Sequence, residues 1–176
     1  MCGRYFIELN ESDIAIKIKN RLNQQSLGDY QLGEIFPTQK VIVLVPKENN
    51  IDVDIKKWGI KAKSLLINAR NETIQDKYTF KKIKNNRCAV IANGFYEWNK
   101  KKKIYITKEN EDYIYFAGLY NENNELVILT GESEDQMKFI HHRTPLILNH
   151  QEMLNYLNYR IDPKVNNQNL VFELCE

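Results

Sequence analysis

Most of the apolar patterning along the chain is short and strand-like. Cys2 to Leu9 predicts a short strand. Val41 to Val45 is a continuous apolar run, which predicts a buried strand stopped by Pro46. Ile51, Val53 and Ile55 alternate with acids and lysine, the pattern of a half-buried strand leading into Trp58. Cys88 to Ala92, Ile104 to Thr107, Tyr113 to Leu119 and Leu126 to Thr130 predict four more strands. Helical spacing is rarer. Ile14, Ile18 and Leu22 fall on one helical face, with Ser12 as a cap and an end near Asn23. Ser133 predicts a second cap, for a helix through about Phe139, and Gln151 to Tyr159 a third short helix. The sum predicts an α+β fold: a curved, barrel-like, mainly antiparallel sheet core with a few short flanking helices. With no internal repeat and no Pro/Gly/Ser linker, residues 1–176 are expected to form one domain. No repeated βαβ unit, Gly-x-Gly-x-x-Gly or P-loop is present, which argues against a nucleotide cofactor.

Composition narrows the class. No apolar run approaches the roughly 18 residues of a membrane span, and Met1 to Tyr5 does not read as a signal peptide. Cys2, Cys88 and Cys175 are too few and too scattered for a disulfide framework, and no Cys-x-x-Cys pair suggests zinc. The expectation is a cytoplasmic protein without a metal. The formal net charge of +2 conceals an asymmetry. Asp54 to Lys103 holds fourteen Lys or Arg and four acids, a local +10, against −8 elsewhere. Such a bias suggests an anionic partner met by one face; taken alone, the charge is better explained by a solvated lysine-rich surface.

Several residues have chemistry to offer. If Met1 is removed, Cys2 presents an α-amine (pKa about 7.7–8.0) and a thiol (about 8.5) on adjacent carbons. Such a 1,2-aminothiol condenses with an aldehyde: the amine forms a Schiff base, and the thiol closes a thiazolidine ring. The alternative is a cysteine at a frayed terminus. Asn68 and Arg70, two apart on an extended segment, project from one side and suit a neutral polar group and a phosphate; a surface turn would look the same. Glu97, among Phe95, Tyr96 and Trp98, could have the raised pKa of a proton shuttle, or sit exposed on an edge strand. His141 and His142 precede Arg143, a pairing of acid–base and phosphate-binding types; a third metal ligand is missing. Pro37 and Trp58 could meet a base, or belong to the core.

In order, the chain reads Cys2-Gly3-Arg4-Tyr5, Pro37-Thr38, Trp58-Gly59-Ile60, Asn68-Ala69-Arg70-Asn71-Glu72-Thr73, Arg87-Cys88, Gly94-Phe95-Tyr96-Glu97-Trp98, Ala117-Gly118-Leu119-Tyr120, Leu129-Thr130 and His141-His142-Arg143-Thr144-Pro145. Each motif is weak alone, but the ordered set resembles the SOS response-associated peptidase (SRAP) family of abasic-site processing proteins along nearly the whole chain.

The resemblance implies binding of single-stranded DNA with abasic sites and a covalent thiazolidine crosslink between Cys2 and the lesion's aldehyde, shielding it in the DNA damage response. It also implies autoproteolytic, peptidase-type release of Met1, with lyase-type strand cleavage as the competing course of the Schiff base. Residue by residue, Cys2 supplies both nucleophiles, Asn68 orients the opened sugar, Glu97 is the acid/base partner and His141 assists ring opening. Arg4, Arg70 and Arg143 would contact phosphates, and Pro37 with Trp58 the flanking bases. No cofactor, nucleotide or membrane is implied; a monomer that is cytoplasmic and joins the nucleoid when on DNA is expected. The chain departs from the family pattern at Thr144, where Met is usual, at Asn93, where Asp is usual, and in a shortened stretch after Ile60. Two competing readings are a cysteine peptidase, with Cys2 attacking and His141 as base, and a non-catalytic single-strand binder. A general aldehyde scavenger is a third.

Overall fold

The computed structural model describes residues 2–25, 28–48 and 50–176. Its strands are β1 (Tyr5–Ile7), β2 (Gly33–Ile35), β3 (Lys40–Lys47), β4 (Asn50–Trp58), β5 (Ile60–Lys61), β6 (Leu65–Leu66), β7 (Asn68–Arg70) and β8 (Arg87–Ala92). The later ones are β9 (Gly94–Asn99), β10 (Lys102–Lys108), β11 (Ile114–Tyr120), β12 (Glu125–Glu132), β13 (Arg143–Pro145), β14 (Ile147–Leu148) and β15 (Leu170–Leu174). Three helices flank them: α1 (Asp13–Gln25), α2 (Tyr78–Lys81) and α3 (His150–Asn158).

Two sheets account for the architecture. Strands β4, β3, β8, β11 and β12 form a closed ring in which only the β12–β4 contact is parallel; β7 adds to β12 in parallel. The second sheet has five strands in the order β15-β10-β9-β1-β2. The expected α+β, barrel-like core is therefore present. The continuous apolar runs lie in the ring, where Val41 to Leu44 and Cys88 to Ala92 are buried on both faces. Aromatic contacts join the two sheets: Tyr5 packs on Trp58 at 5.4 Å between centroids, and Phe95 on Phe116 at 5.8 Å. Gly94 opens β9 because a Cβ there would stand 2.6 Å from the Ile106 carbonyl oxygen. No helix among the described residues is long and apolar enough to cross a membrane.

Local expectations meet mixed outcomes. The Ser12 hydroxyl accepts the Ala15 N–H at 3.4 Å, and α1 buries Ile18 and Leu22 as its spacing predicts, while Ile14 is half-buried and Ala15 is buried beside it. Helix α3 starts at a capping box between Asn149 and Glu152. Pro46 does not stop β3, which runs to Lys47. The Lys40 carbonyl faces away from β4 to accept from Gln31, and alternation turns the Pro46 nitrogen the same way. That side has no partner beyond Leu44, so the missing N–H costs no ladder bond. Ser133 caps no α-helix: a 3₁₀ turn begins at Asp135, and the Ser133 N–H donates to the His142 carbonyl at 3.0 Å. The first strand begins at Tyr5 rather than Cys2. Asp52 and Lys56 are buried in β4 despite their charge, Lys56 through Asp54 at 2.7 Å and Asn124 at 2.9 Å.

Candidate functional site

Cys2 lies at the seam between the two sheets. Tyr5 pairs with Phe95, and the Tyr96 N–H donates to the Arg4 carbonyl at 2.9 Å, so the chain leading into β1 passes alongside Glu97. From the other sheet, β7 brings Asn68, whose amide donates to the Cys2 carbonyl at 2.9 Å. Cys2 is fully buried, and among the described residues its thiol makes a weak contact with the Arg4 carbonyl at 3.9 Å. Burial raises the thiol pKa far above its usual value, and the charge of Glu97 pushes it further in the same direction. Glu97 is 3% exposed, and burial holds its carboxyl above the ordinary range. The buried Asn68 Oδ1 has no hydrogen-bond partner among the described residues. Cys2, Asn68 and Glu97 are thus brought together: a buried thiol, a proton-exchanging carboxyl and an amide with acceptor capacity to spare.

His141 is half-buried and stacks on His142 at 4.5 Å. Its Nδ1 lies 2.9 Å from the Arg143 backbone nitrogen and 3.1 Å from the Arg143 carbonyl oxygen, so the Arg143 backbone holds the ring in place. Burial lowers the pKa of both histidines, so both are neutral at pH 7. Arg143 is drawn inward. It is 3% exposed, its guanidinium grips both carboxylate oxygens of Glu72, and Nη2 also donates to the Thr130 carbonyl at 2.8 Å and hydroxyl at 3.0 Å. It joins the turn after β7 to β12 and to the His141 loop, while its buried Nε–H has no acceptor among the described residues.

Trp58 is drawn inward as well. Its indole is fully buried against Tyr5, and its N–H donates to the Ile67 carbonyl at 3.0 Å. Withdrawing it would cost about 3–5 kcal/mol, more than the roughly 1–3 kcal/mol gained by stacking one base. Arg70 is exposed and Pro37 half-exposed. Pro37 sits in a turn where the β-branched Thr38 adopts φ 77°, strain of order 1–3 kcal/mol that marks a constrained loop.

Arg4 is only partly available. Along β1 and β9, Tyr5 and Glu97 face inward, so Arg4, Tyr96 and Trp98 face outward. The Arg4 guanidinium lies 4.2 Å from the Phe36 ring and 5.0 Å from that of Trp98, and pairs with Glu34 at 3.2 Å. Lys103 adds to this outer face, over Tyr96 at 4.1 Å and bonded to Glu34 at 2.6 Å. Phe36 is 41% and Trp98 37% exposed. Sequence reasoning missed Phe36, Trp98, Glu34 and Lys103 as a group. The alternation of Glu97 and Trp98 was the available signal, since it puts the two on opposite faces.

The family departures have local partners. Thr144 is buried, and its hydroxyl accepts the Asn167 amide at 3.0 Å, while the Asn167 Oδ1 accepts the Glu134 N–H at 2.9 Å. Asn93 ties two loops, accepting the Glu8 N–H at 2.6 Å and donating to the Asp112 carbonyl at 2.9 Å. No group of His, Cys, Asp and Glu among the described residues converges as a metal site. The expected removal of Met1 concerns a residue outside the described ones.

Comparison with known proteins follows the same lines. A family model described as SOS response associated peptidase (SRAP) matches residues 1–175. The Bacillus subtilis abasic site processing protein YoqW is 30% identical over 181 residues, spanning 90% of this chain and 80% of its own. The Escherichia coli abasic site processing protein YedK is 24% identical over 93% of this chain and 82% of its own. A crystal structure of a Bacteroides thetaiotaomicron protein matches 99% of this chain and 92% of its own with a TM-score of 0.77 at 19% identity. A likeness at that identity speaks for the fold.

Proposed function

The chain belongs to the SOS response associated peptidase (SRAP) family, and we propose that it captures the aldehyde of abasic sites in single-stranded DNA through Cys2. Once Met1 is removed, the α-amine attacks the aldehyde carbon of the opened sugar. Loss of water gives a Schiff base, and the thiol sulfur adds to the imine carbon while its proton passes to nitrogen. The product is a thiazolidine, and one water is released. Glu97 moves the protons of water loss and ring closure, as a buried carboxyl with a raised pKa suits. Asn68 anchors the start of the chain, and its Oδ1 has an acceptor to offer the sugar or the amine. His141, its ring held by the Arg143 backbone, assists ring opening. Arg4 and Arg70 meet phosphates, and Pro37 borders the bases. Arg143 has a positioning role. No step requires a metal or a nucleotide.

The observation that carries this reading is the Asn68 hydrogen bond to the Cys2 carbonyl beside Glu97. It fixes the residue bearing both nucleophiles next to a proton carrier. Ring closure by the sulfur also rescues the imine from β-elimination, which would break the strand.

The test is a denaturing gel of the protein with single-stranded oligonucleotides, with and without one abasic site. Intact mass must confirm that the chain starts at Cys2. A slow band only with the lesion, lost in Cys2→Ala, is expected. No band from chains starting at Cys2 would overturn the proposal.

A further inference from the structure

Glu34 holds two cations on one oxygen. Its Oε1 accepts from Arg4 Nη1 at 3.2 Å and from Lys103 Nζ at 2.6 Å. The three side chains are about 30% exposed, on the outer face of the five-stranded sheet. Phe36 and Trp98 flank the guanidinium, while the rings of Tyr96 and Trp98 face the Lys103 ammonium at 4.1 and 6.0 Å. The arrangement is that of an anion site: two donors of different elements converge on a single oxygen, with aromatic planes on either side. The Arg4 Nε–H is buried and has no acceptor among the described residues, so the carboxylate does not saturate the site.

With Arg4 already assigned to a phosphate, we propose that Glu34 is the resident anion of that subsite, which Lys103 shares, and that it is displaced when a phosphodiester of single-stranded nucleic acid docks. This rests on the DNA reading of the same protein. Glu34 belongs to β2, a three-residue strand at the edge of its sheet, so the carboxylate can turn outward without breaking a central strand. A half-exposed ion pair of this kind is weak and readily exchanged. A phosphodiester brings the same charge together with neighbouring bases that can use the exposed faces of Phe36 and Trp98. Glu34 thereby sets a threshold: isolated anions compete poorly with a tethered carboxylate, whereas a strand held at several points displaces it.

The test is equilibrium binding of a fluorescent, lesion-free single strand to the wild-type protein and to Glu34→Gln over a salt series, so that no covalent step intervenes. Glu34→Gln should bind roughly two- to fivefold more tightly. The slope of log K against log salt should steepen by about 0.7, the increment of one phosphate contact on a single strand. Lys103→Gln added to Glu34→Gln should cancel the gain. Unchanged or weaker binding by Glu34→Gln, with wild-type melting temperature, would overturn the inference and leave lesion capture standing. Failure of the wild-type protein to bind any single strand or to crosslink would sink both.

Discussion

Asn68 and Cys2 are joined across the two sheets by one hydrogen bond, from the Asn68 amide to the Cys2 carbonyl at 2.9 Å. It is the link between the ring and the start of the chain at the residue that carries the nucleophiles. Asn68→Ala removes that anchor and the open Oδ1 together. Crosslinking with abasic single strands should slow by about 10²-fold, the scale on which a small misplacement of a reacting group acts. Affinity for a lesion-free strand should stay within about twofold. A stopped time course beside a binding titration checks both.

Glu97 is predicted to leave two signatures. Glu97→Gln should slow crosslinking by roughly 10²-fold or more, the contribution of a positioned proton carrier. The wild-type rate should fall as pH drops through a value above the ordinary carboxyl range, and the Gln variant should lack that limb. The raised pKa also bears on stability. The unfolded chain releases the Glu97 proton at lower pH than the folded one, so ionisation favours unfolding as pH rises between the two values. The melting temperature of Glu97→Gln should therefore gain on wild type from pH 4 to pH 7. Parallel melting curves with pH-independent spacing would contradict this.

Arg143 and Glu72 make opposite predictions from those of a phosphate contact. Arg143→Gln breaks the internal clamp and should cost about 2–4 kcal/mol of stability, because Glu72 and Thr130 lose their partner. The salt slope of DNA binding should not change. Arg70→Gln should flatten that slope by about 0.7 and leave the melting temperature alone. Measured together on one strand, the pair separates an internal cation from an external one.

The cysteines should differ in reactivity. Cys2 and Cys88 are fully buried and Cys175 is partly exposed. Burial pushes the Cys88 thiol up to about 12 and the Cys2 thiol higher still. At pH 8 an alkylating reagent should label Cys175 first, adding one equivalent by mass, and all three only after denaturation. Rapid labelling of Cys2 in the folded protein would mean that its thiol is activated.

The sequence announces some of this arrangement and hides the rest for physical reasons. Strands β8, β11 and β12 are legible because both their faces are buried, so their apolar runs are unbroken. Asn68 and Arg70 could be assigned to one side from period-two geometry alone. Trp58 could not be placed, since an indole that meets a base and one that donates to a backbone carbonyl leave the same letter in the chain. The internal partners of Arg143, Glu72 and Thr130, could not be read locally because they lie 71 and 13 residues away. Pro46 looked like a stop because its harmlessness depends on where β8 ends. The outer face around Glu34 needed the register of β1, β2, β9 and β10, which no local pattern encodes.

The ring has no free edge, whereas the five-stranded sheet ends at β2, three residues long, and at β15, where Leu174 is 61% exposed. Strand β7, which carries Asn68, is likewise three residues long and pairs with β12 alone. Amide protons of the ring strands should outlast those of β2 and β7 in hydrogen exchange, so both sides of the site hang from short strands that breathe. A covalent tie between DNA and Cys2 would then fasten that seam, and the lesion itself would become part of what holds the protein closed.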